Sequence, residues 1–329
     1  MQGFEHLSDY LGLGPLEIIP IKGGYSNLTY LVKGQGFSYI LRRPPRGLAI
    51  AKAHDMVREF KVLQALQAAG YQKMPKPFRI CADESVIGAP FFLMEAIEGQ
   101  VLRQVPPPGA DAAYFNALSH QALEVLLELH ALELEQSGLA ALGKAEGYVE
   151  RQVLGWAARY EKAQTEKQEA LEKAFAWLPN HWPKNPRTAF IHNDFKYDNL
   201  MLSDQGQVLA VLDWEMATIG DPLMDLGTTL AYWAEAEDSD LLKSFNLSYL
   251  PGNFSRAEVM AYYQEQSGLS MEDMPFYYAF GLCKIACIAQ QIYQRYSMGF
   301  AQDQRFATLN LVVKSAGEKA WNCINTGKI

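Results

Sequence analysis

At 329 residues, with 49% hydrophobic residues and a formal net charge of −8, the chain is long enough for one large or two modest domains with a sizeable core. That apolar content excludes a disordered chain. The negative balance argues against nucleic acid as a partner, because neutralising phosphates needs clustered Lys and Arg.

In chain order, Leu16 to Pro20 and Leu28 to Val32 read as short strands on either side of Lys22-Gly23-Gly24-Tyr25-Ser26-Asn27. Phe37 to Arg42 is a third strand after the turn Gly34-Gln35-Gly36. From about Ala51 to Ala69, Val57, Phe60, Leu63 and Leu66 recur at helical spacing, and Gly70 ends the helix. Val86 to Ile97 holds two apolar strand-like runs broken by Gly88. These elements predict a small N-terminal unit, residues 1–97, with a sheet of the usual size.

The remainder, residues 98–329, reads as mainly helical. Pro106-Pro107-Pro108-Gly109 marks a connection, and Leu123, Leu126, Leu127 and His130 share one face of a helix over Ala122 to Leu132. Gln152 to Ala176 reads as another helical region, and Asp225 to Ile329 as a series of helices. The run from Glu235 to Asp240 reads as a solvated acidic loop. Cys81, Cys283, Cys287 and Cys323 are sparse and point to a reducing compartment. Cys283 and Cys287 have no neighbouring His or third Cys and are read as core. Met1 to Asp9 has no secretory pattern, and no apolar stretch approaches the ~20 residues of a membrane span. The expectation is a soluble cytoplasmic protein with no membrane partner and an open oligomeric state.

Chemistry concentrates between Phe190 and Asp213. His192-Asn193-Asp194-Phe195-Lys196-Tyr197-Asp198-Asn199 reads as H-x-D-x-x-x-x-N, and Val211-Leu212-Asp213 is an apolar strand ending in a carboxylate. This is the spacing of a phosphoryl-transfer site. Asp194 suits the general base that orients the attacking hydroxyl. Asn199 and Asp213 suit Mg²⁺, which takes oxygen ligands from one or two carboxylates, phosphates and water. Asn199 to Leu202, the turn Ser203-Asp204-Gln205-Gly206 and Gln207 to Leu212 predict a hairpin that brings Asn199 and Asp213 to one end. Lys196 is placed to reach the γ-phosphate, and His192 reads as an anchor of the loop. Gly24, Ser26 and Asn27 lie where successive N–H groups between two strands can cradle phosphates.

These motifs resemble the aminoglycoside phosphotransferase and choline kinase group, which shares the protein-kinase fold. The nearer likeness is to the phosphotransferase-like domains of acyl-CoA dehydrogenase family members ten and eleven. It is carried by Gly24 to Tyr30, Leu41-Arg42-Arg43-Pro44-Pro45, Ala53-His54-Asp55-Met56 with Arg58-Glu59-Phe60, Arg151-Gln152-Val153 with Trp156, Trp177-Leu178-Pro179 and Gly220-Asp221-Pro222 with Asp225-Leu226. The resemblance implies an α+β, bilobal kinase-like fold, with a small lobe of antiparallel sheet plus one helix and a larger, mainly helical lobe. It places Arg42 where the wider group has a phosphate-binding Lys; Arg keeps the charge and adds a bidentate fork. It makes Glu59 the partner of Arg42. Glu95 and Ile97 become hinge residues whose backbone holds adenine, and Asp225 the buried acid that holds the catalytic-loop backbone. Glu215 and Asp221 are acidic neighbours whose position, near the metal or at the surface, is left open.

The implied activity is ATP- and Mg²⁺-dependent transfer of the γ-phosphoryl group to a hydroxyl of a small molecule. GTP remains an alternative nucleotide, because hinge contacts are mainly backbone. Residues 271–329, the expected acceptor side, carry four acids and six bases, a balance unlike a site for polycationic aminoglycosides. Tyr277, Tyr278, Phe280, Tyr293, Tyr296 and Phe300 fall in the same stretch, and helical aromatics of this kind are more often core than pocket. A hydroxyacyl-CoA-like metabolite is the acceptor suggested by the relatives, with Arg43, Arg46, Lys52 and Lys61 as candidates for its phosphates. A second class of function, a nucleotide-binding pseudokinase acting as a regulatory module, is kept open by Arg42. A protein kinase is not favoured, since Gly220-Asp221-Pro222 follows Asp213 with no room for an activation segment.

Overall fold

The computed structural model describes residues 4–21, 27–45, 56–301 and 303–329. Its smaller lobe is one antiparallel sheet of β1 (Glu17–Ile21), β2 (Leu28–Gly34), β3 (Phe37–Arg43), β4 (Pro77–Cys81) and β5 (Phe91–Glu95), in the order β1-β2-β3-β5-β4. Strand alternation divides the lobe into two cores. Val32, Leu41, Phe91 and Leu93 turn towards α1 (Leu7–Leu11), where Leu7 is buried. Phe92 and Met94 turn the other way, onto Phe60 and Leu63 of α2 (Met56–Ala68). The same alternation sends Arg42 towards α2 and Arg43 away from it.

Helix α2 is tied to the larger lobe by Arg58. Its guanidinium donates to the carbonyls of Glu215 (3.3 Å), Leu142 (3.2 Å) and Ala217 (2.7 Å). That lobe begins with β6 (Gln100–Val101), which pairs with β8 (Leu200–Leu202); β8 pairs in turn with β9 (Val208–Val211). A second small sheet joins β7 (Ala189–Ile191) to β10 (Thr218–Gly220). Around these lie α3 (Ala112–His130), α4 (Tyr148–Ala163), α5 (Glu169–Trp177), α6 (Pro222–Tyr232), α7 (Asp240–Lys243), α8 (Arg256–Ser267), α9 (Met274–Ser297) and α10 (Leu309–Thr326). The architecture is the expected α+β, kinase-like bilobal fold. Among the described residues no helix is long and apolar enough to cross a membrane.

Helix α9 is apolar nearly all round because it is the central post of the larger lobe. It packs on α6, α10 and α4. Helix α6 starts at Asp221, whose carboxylate accepts from the Leu223 N–H, with Pro222 in the first turn where it lacks only an unneeded donor. All of α6 is buried. The α6–α9 crossing depends on two glycines. A Cβ on Gly227 would sit 2.5 Å from the Tyr277 backbone, and one on Gly281 would sit 2.5 Å from the Gly227 carbonyl.

Several expectations are corrected here. The first of the two runs in Val86 to Ile97 is turn, with Gly88 at φ +76; only Phe91–Glu95 is strand. The fifth strand is β4, an edge strand opened by Pro77, and proline at such a position suppresses the usual strand signal. The region Gln152 to Ala176 is two helices. Gln290 of α9 donates to the Ala163 carbonyl (2.9 Å) and to Thr165 (3.0 Å), stopping α4 there. The acidic run is not simply solvated: Glu235 and Asp238 both pair with Arg256, which is buried, and Asp238 also pairs with Lys319. Tyr277, Tyr278 and Phe280 are core, as their helical spacing favoured. Cys283 and Cys287 are buried and free, as expected.

Gly227→Ala is expected to lose about 1–3 kcal/mol through overpacking at the α6–α9 crossing. A urea denaturation midpoint equal to that of the parent would show that the two helices can move apart at no cost.

Candidate active site

Strand β7 delivers the chain to His192, and the next residue departs from ordinary backbone. Asn193 has φ +69, a left-handed conformation that Asn tolerates better than most side chains. The turn aims two successive N–H groups at one carboxylate: Asp225 accepts from His192 N (2.7 Å) and Asn193 N (2.8 Å). Such a pair of amides is a ready anion cradle. Asp225 also meets His130 Nε2 at 3.1 Å, and His130 Nδ1 meets the Tyr263 hydroxyl at 2.7 Å. Burial acts to raise the Asp225 pKa, but His130, His192 and the loop amide outweigh it and hold the carboxyl below its ordinary value.

The Asn193 side chain is fixed as firmly. Its Oδ1 accepts from Tyr148 (3.0 Å) and its Nδ2 donates to the Met216 carbonyl (3.0 Å). His192 is buried, and burial lowers its pKa, so the ring is neutral. In that form Nε2 donates to the Leu212 carbonyl (2.9 Å), and Nδ1 accepts from Asp194 N (3.2 Å). The ring thus ties the loop to the strand that carries Asp213.

Asp194 follows, its side chain 17% exposed. Lys196 Nζ lies 3.0 Å from Asp194 Oδ2, and Asn199 Nδ2 lies 2.9 Å from the same oxygen. Burial acts to raise the Asp194 pKa, but the charge and hydrogen bond of Lys196 and the charge of Lys284 bring it below its ordinary value. The Lys196 ammonium is 3.7 Å from Asp198 and 4.6 Å from the centre of the Tyr232 ring. Burial opposes the Lys196 charge, and Asp194 restores it, raising the pKa well above the ordinary value. Asp198 is pushed up to about 6, chiefly by burial.

The hairpin closes the site. Leu212 N donates to the Asn199 carbonyl (2.8 Å), and Leu200 pairs with Val211, so Asn199 and Asp213 share one end of the ladder. Asp213 is left-handed too, at φ +66. Its Oδ1 is 3.2 Å from Arg42 Nη2, and Arg42 Nη1 is 2.8 Å from Glu59 Oε1. Burial pushes Glu59 up to about 7 against the pull of Arg42. Asn27 Nδ2 reaches Glu215 Oε2 at 3.2 Å, so Glu215 faces the smaller lobe, whereas Asp221 is buried as a helix cap. Gly24 and Ser26 lie outside the described residues. Glu95 ends β5, and its N–H donates to the Lys76 carbonyl (2.9 Å); Ile97 follows in the non-strand segment leading to β6.

The donor set fits Mg²⁺. Asn199 Nδ2 is committed to the Asp194 backbone carbonyl (2.7 Å) and carboxylate, which leaves its amide oxygen as the end for a cation beside the Asp213 carboxylate. Among the described residues no group of three or more His, Cys, Asp or Glu is arranged to hold a metal ion. A two-oxygen protein site completed by phosphates and water is the usual magnesium arrangement.

Some residues at the site escaped sequence reasoning. His130 was read only as one position on a helix face, although its ring hydrogen-bonds the carboxylate that holds the loop. Tyr232 carried no signal, since nothing in its local pattern shows that α6 ends beside Lys196. Lys284 counts among the bases of the expected acceptor side, yet it is buried in α9 beneath the loop that carries Asn193. Arg43 is buried as well, donating to the Ile87 carbonyl at 2.8 Å, which removes it as a contact for a ligand's phosphates. Arg46 and Lys52 lie outside the described residues, and Lys61 is exposed on α2.

Residues 17–262 match the family model described as the phosphotransferase enzyme family. Acyl-CoA dehydrogenase family member 10 of Mus musculus is 33% identical over 314 residues, covering 94% of this chain but only 29% of its own length. The chain therefore spans less than a third of that relative. A Ralstonia eutropha JMP134 structure, given as a candidate aminoglycoside phosphotransferase, is 30% identical with a TM-score of 0.83, and 97% of each chain is covered. A thermostable mutant of aminoglycoside phosphotransferase APH(4)-Ia, in ternary complex with ADP and hygromycin B, has a TM-score of 0.66 at 14% identity, with 98% of each chain covered. That last likeness is one of fold.

Asp225→Asn removes the charge and puts an amide N–H against one of the two backbone donors, and is expected to cost about 2–3 kcal/mol of stability at pH 7. Because the folded carboxyl titrates below its ordinary value of 3.8, its contribution is present above that pH and is lost as pH falls through the folded pKa. The stability gap between parent and variant should therefore narrow below about pH 4. A gap of constant size in urea titrations at pH 7 and pH 3.5 would count against the ionised cradle.

Proposed function

We propose that this chain, which belongs to the phosphotransferase enzyme family, moves the γ-phosphoryl group of ATP to a hydroxyl of a small molecule. The observation that carries the reading is the Asp194 carboxylate, bonded to the Lys196 ammonium and the Asn199 amide, on a loop that leads into the hairpin whose end Asn199 shares with Asp213. In this reading the nucleotide lies between residues 1–97 and 98–329. Backbone groups of Gly24 and Ser26, with Asn27, cover its phosphates. The Glu95 carbonyl and the Ile97 N–H are the adenine contacts, because the Glu95 N–H is already used. Nucleotide binding is also supported by the ADP complex of a protein of similar fold.

Phosphoryl transfer leaves the protein little covalent chemistry to do, so positioning and charge dominate. The acceptor oxygen forms a bond to the γ-phosphorus as the bond to the bridging oxygen breaks and ADP leaves. The hydroxyl proton passes to Asp194. A carboxylate held ionised by Lys196 takes that proton only as the oxygen loses electron density, so Asp194 chiefly orients the hydroxyl. Lys196 faces the charge on the transferring group. Arg42, steadied by Glu59, faces the α- and β-phosphates. Mg²⁺ held by Asn199 and Asp213 would neutralise charge on the phosphate oxygens.

The acceptor is proposed to be a hydroxylated metabolite, with a hydroxyacyl-CoA as the first candidate because of the acyl-CoA dehydrogenase relatives. One observation favours a second reading. Arg42 lies against Asp213, a metal ligand in the first reading, as a nucleotide-binding module without transfer could retain it. Paired Asp194, Asn199 and Asp213 weigh for the enzyme.

ADP release with Mg·ATP and a panel of hydroxyacyl-CoAs, choline-like alcohols, sugars, homoserine and aminoglycosides separates the two. Acceptor-dependent release should fall about 10²–10⁴-fold in Asp194→Ala while nucleotide binding persists. Binding without release for any acceptor would favour the regulatory module. Arg42→Met should weaken Mg·ATP binding about tenfold, the loss of one charge-assisted contact. Undiminished affinity by calorimetry would remove Arg42 from the phosphate site.

A further inference from the structure

Lys284 is a cation with no access to solvent. It lies in the middle of α9 and is 1% exposed. Burying an ammonium costs several kcal/mol unless close partners compensate it. Here the partners belong to the catalytic loop and its support. Nζ donates to the Asn193 carbonyl at 2.5 Å. It stands 5.8 Å from the centre of the Trp156 ring on α4. Burial pulls its pKa down to about 8, and the nearby charges of Asp194 and Asp225 oppose that, so the group is charged at neutral pH.

The atom it holds is a strategic one. The Asn193 carbonyl belongs to the same peptide unit as the Asp194 N–H, and that N–H donates to His192 Nδ1. Lys284 and His192 therefore grip the two ends of one peptide plane. Asn193 is one of two non-glycine residues with positive φ among the described residues. Its N–H, both polar atoms of its side chain and its carbonyl are all taken, by Asp225, Tyr148, the Met216 carbonyl and Lys284. A rotation of this plane would swing Asp194 away from the acceptor, and the Lys284 bond is the one that comes from outside the loop and its neighbouring strands to oppose it at the carbonyl end.

We propose that Lys284 is a positioning residue for phosphoryl transfer: it locks the Asn193–Asp194 peptide from below and so fixes the direction of the Asp194 carboxylate. The inference rests on the phosphotransferase reading for its link to turnover, but not for its effect on the loop.

The test uses the full chain and three variants. Lys284→Met keeps the length and bulk of the side chain without its donor or charge, and Lys284→Arg restores both. Lys284→Gln replaces the Met variant if that one does not unfold cooperatively. Three quantities are read: Mg·ATP affinity, turnover with the best acceptor, and hydrogen exchange of amides 192–199. The Met variant is expected to bind nucleotide as the parent does and to exchange the Asp194 amide faster. It should also lose about a hundredfold in kcat, the scale of a misplacement near 1 Å, with little change in KM for ATP. The Arg variant should recover most of both losses. Parent-like exchange and kcat in the Met variant would overturn the proposal and leave Lys284 as core filling. If the parent itself transfers phosphate to no acceptor, the phosphotransferase reading fails. Exchange at Asp194 then decides by itself: faster exchange keeps the hold on the loop, and unchanged exchange removes it.

Discussion

The site depends on one buried carboxylate. Asp225 has no exposed surface and accepts hydrogen bonds from two consecutive loop amides. Consecutive N–H groups converge on one anion only when the chain between them turns sharply, and the left-handed Asn193 supplies that turn. An uncompensated charge at this depth is strongly destabilising. Asp225 and the loop therefore stabilise each other: the amides compensate the buried charge, and the charge holds the turn. Everything that follows in the chain, from Asp194 to Asn199, inherits its direction from this contact. His130 and Tyr263 extend the network outwards into α3 and α8.

Charges on the two sides of the cleft form chains in which each group answers the next. Glu59 faces Arg42, Arg42 faces Asp213, and on the other side Asp198 and Asp194 share Lys196. Such chains give each buried or half-buried charge an opposite neighbour, which offsets the cost of burying it. They also show why Arg can stand where a Lys is usual. Two guanidinium nitrogens meet two carboxylates at once, which a single ammonium does less well in one plane.

Motif spacing made much of this legible. The H-x-D-x-x-x-x-N run and the apolar strand to Asp213 are local, so pattern alone predicts a hairpin with Asn199 and Asp213 at one end. Strand alternation was enough to send Arg42 and Arg43 to opposite faces. What stayed hidden depends on contacts far apart in the chain. The acidic run from Glu235 looks solvated until Arg256 arrives from α8. Strand β4 is obscured by its own proline and by the half-exposed Phe78. The aromatic residues of α9 were legible as core, but which helices enclose them, α6, α10 and α4, leaves no local trace. Lys284 shows the same limit: on a surface helix it would be an ordinary charge.

Arg58 carries a mechanical consequence. By holding three carbonyls of the larger lobe, it makes α2 part of that lobe's rigid frame, although the helix sits in the smaller lobe's stretch of sequence. The sheet's Phe92 and Met94 rest on the other side of the same helix, against Phe60 and Leu63, so α2 is shared by the two lobes. Glu59 stands on that shared helix and Arg42 on the sheet, so their ion pair staples the seam at the point where Asp213 of the larger lobe also reaches Arg42.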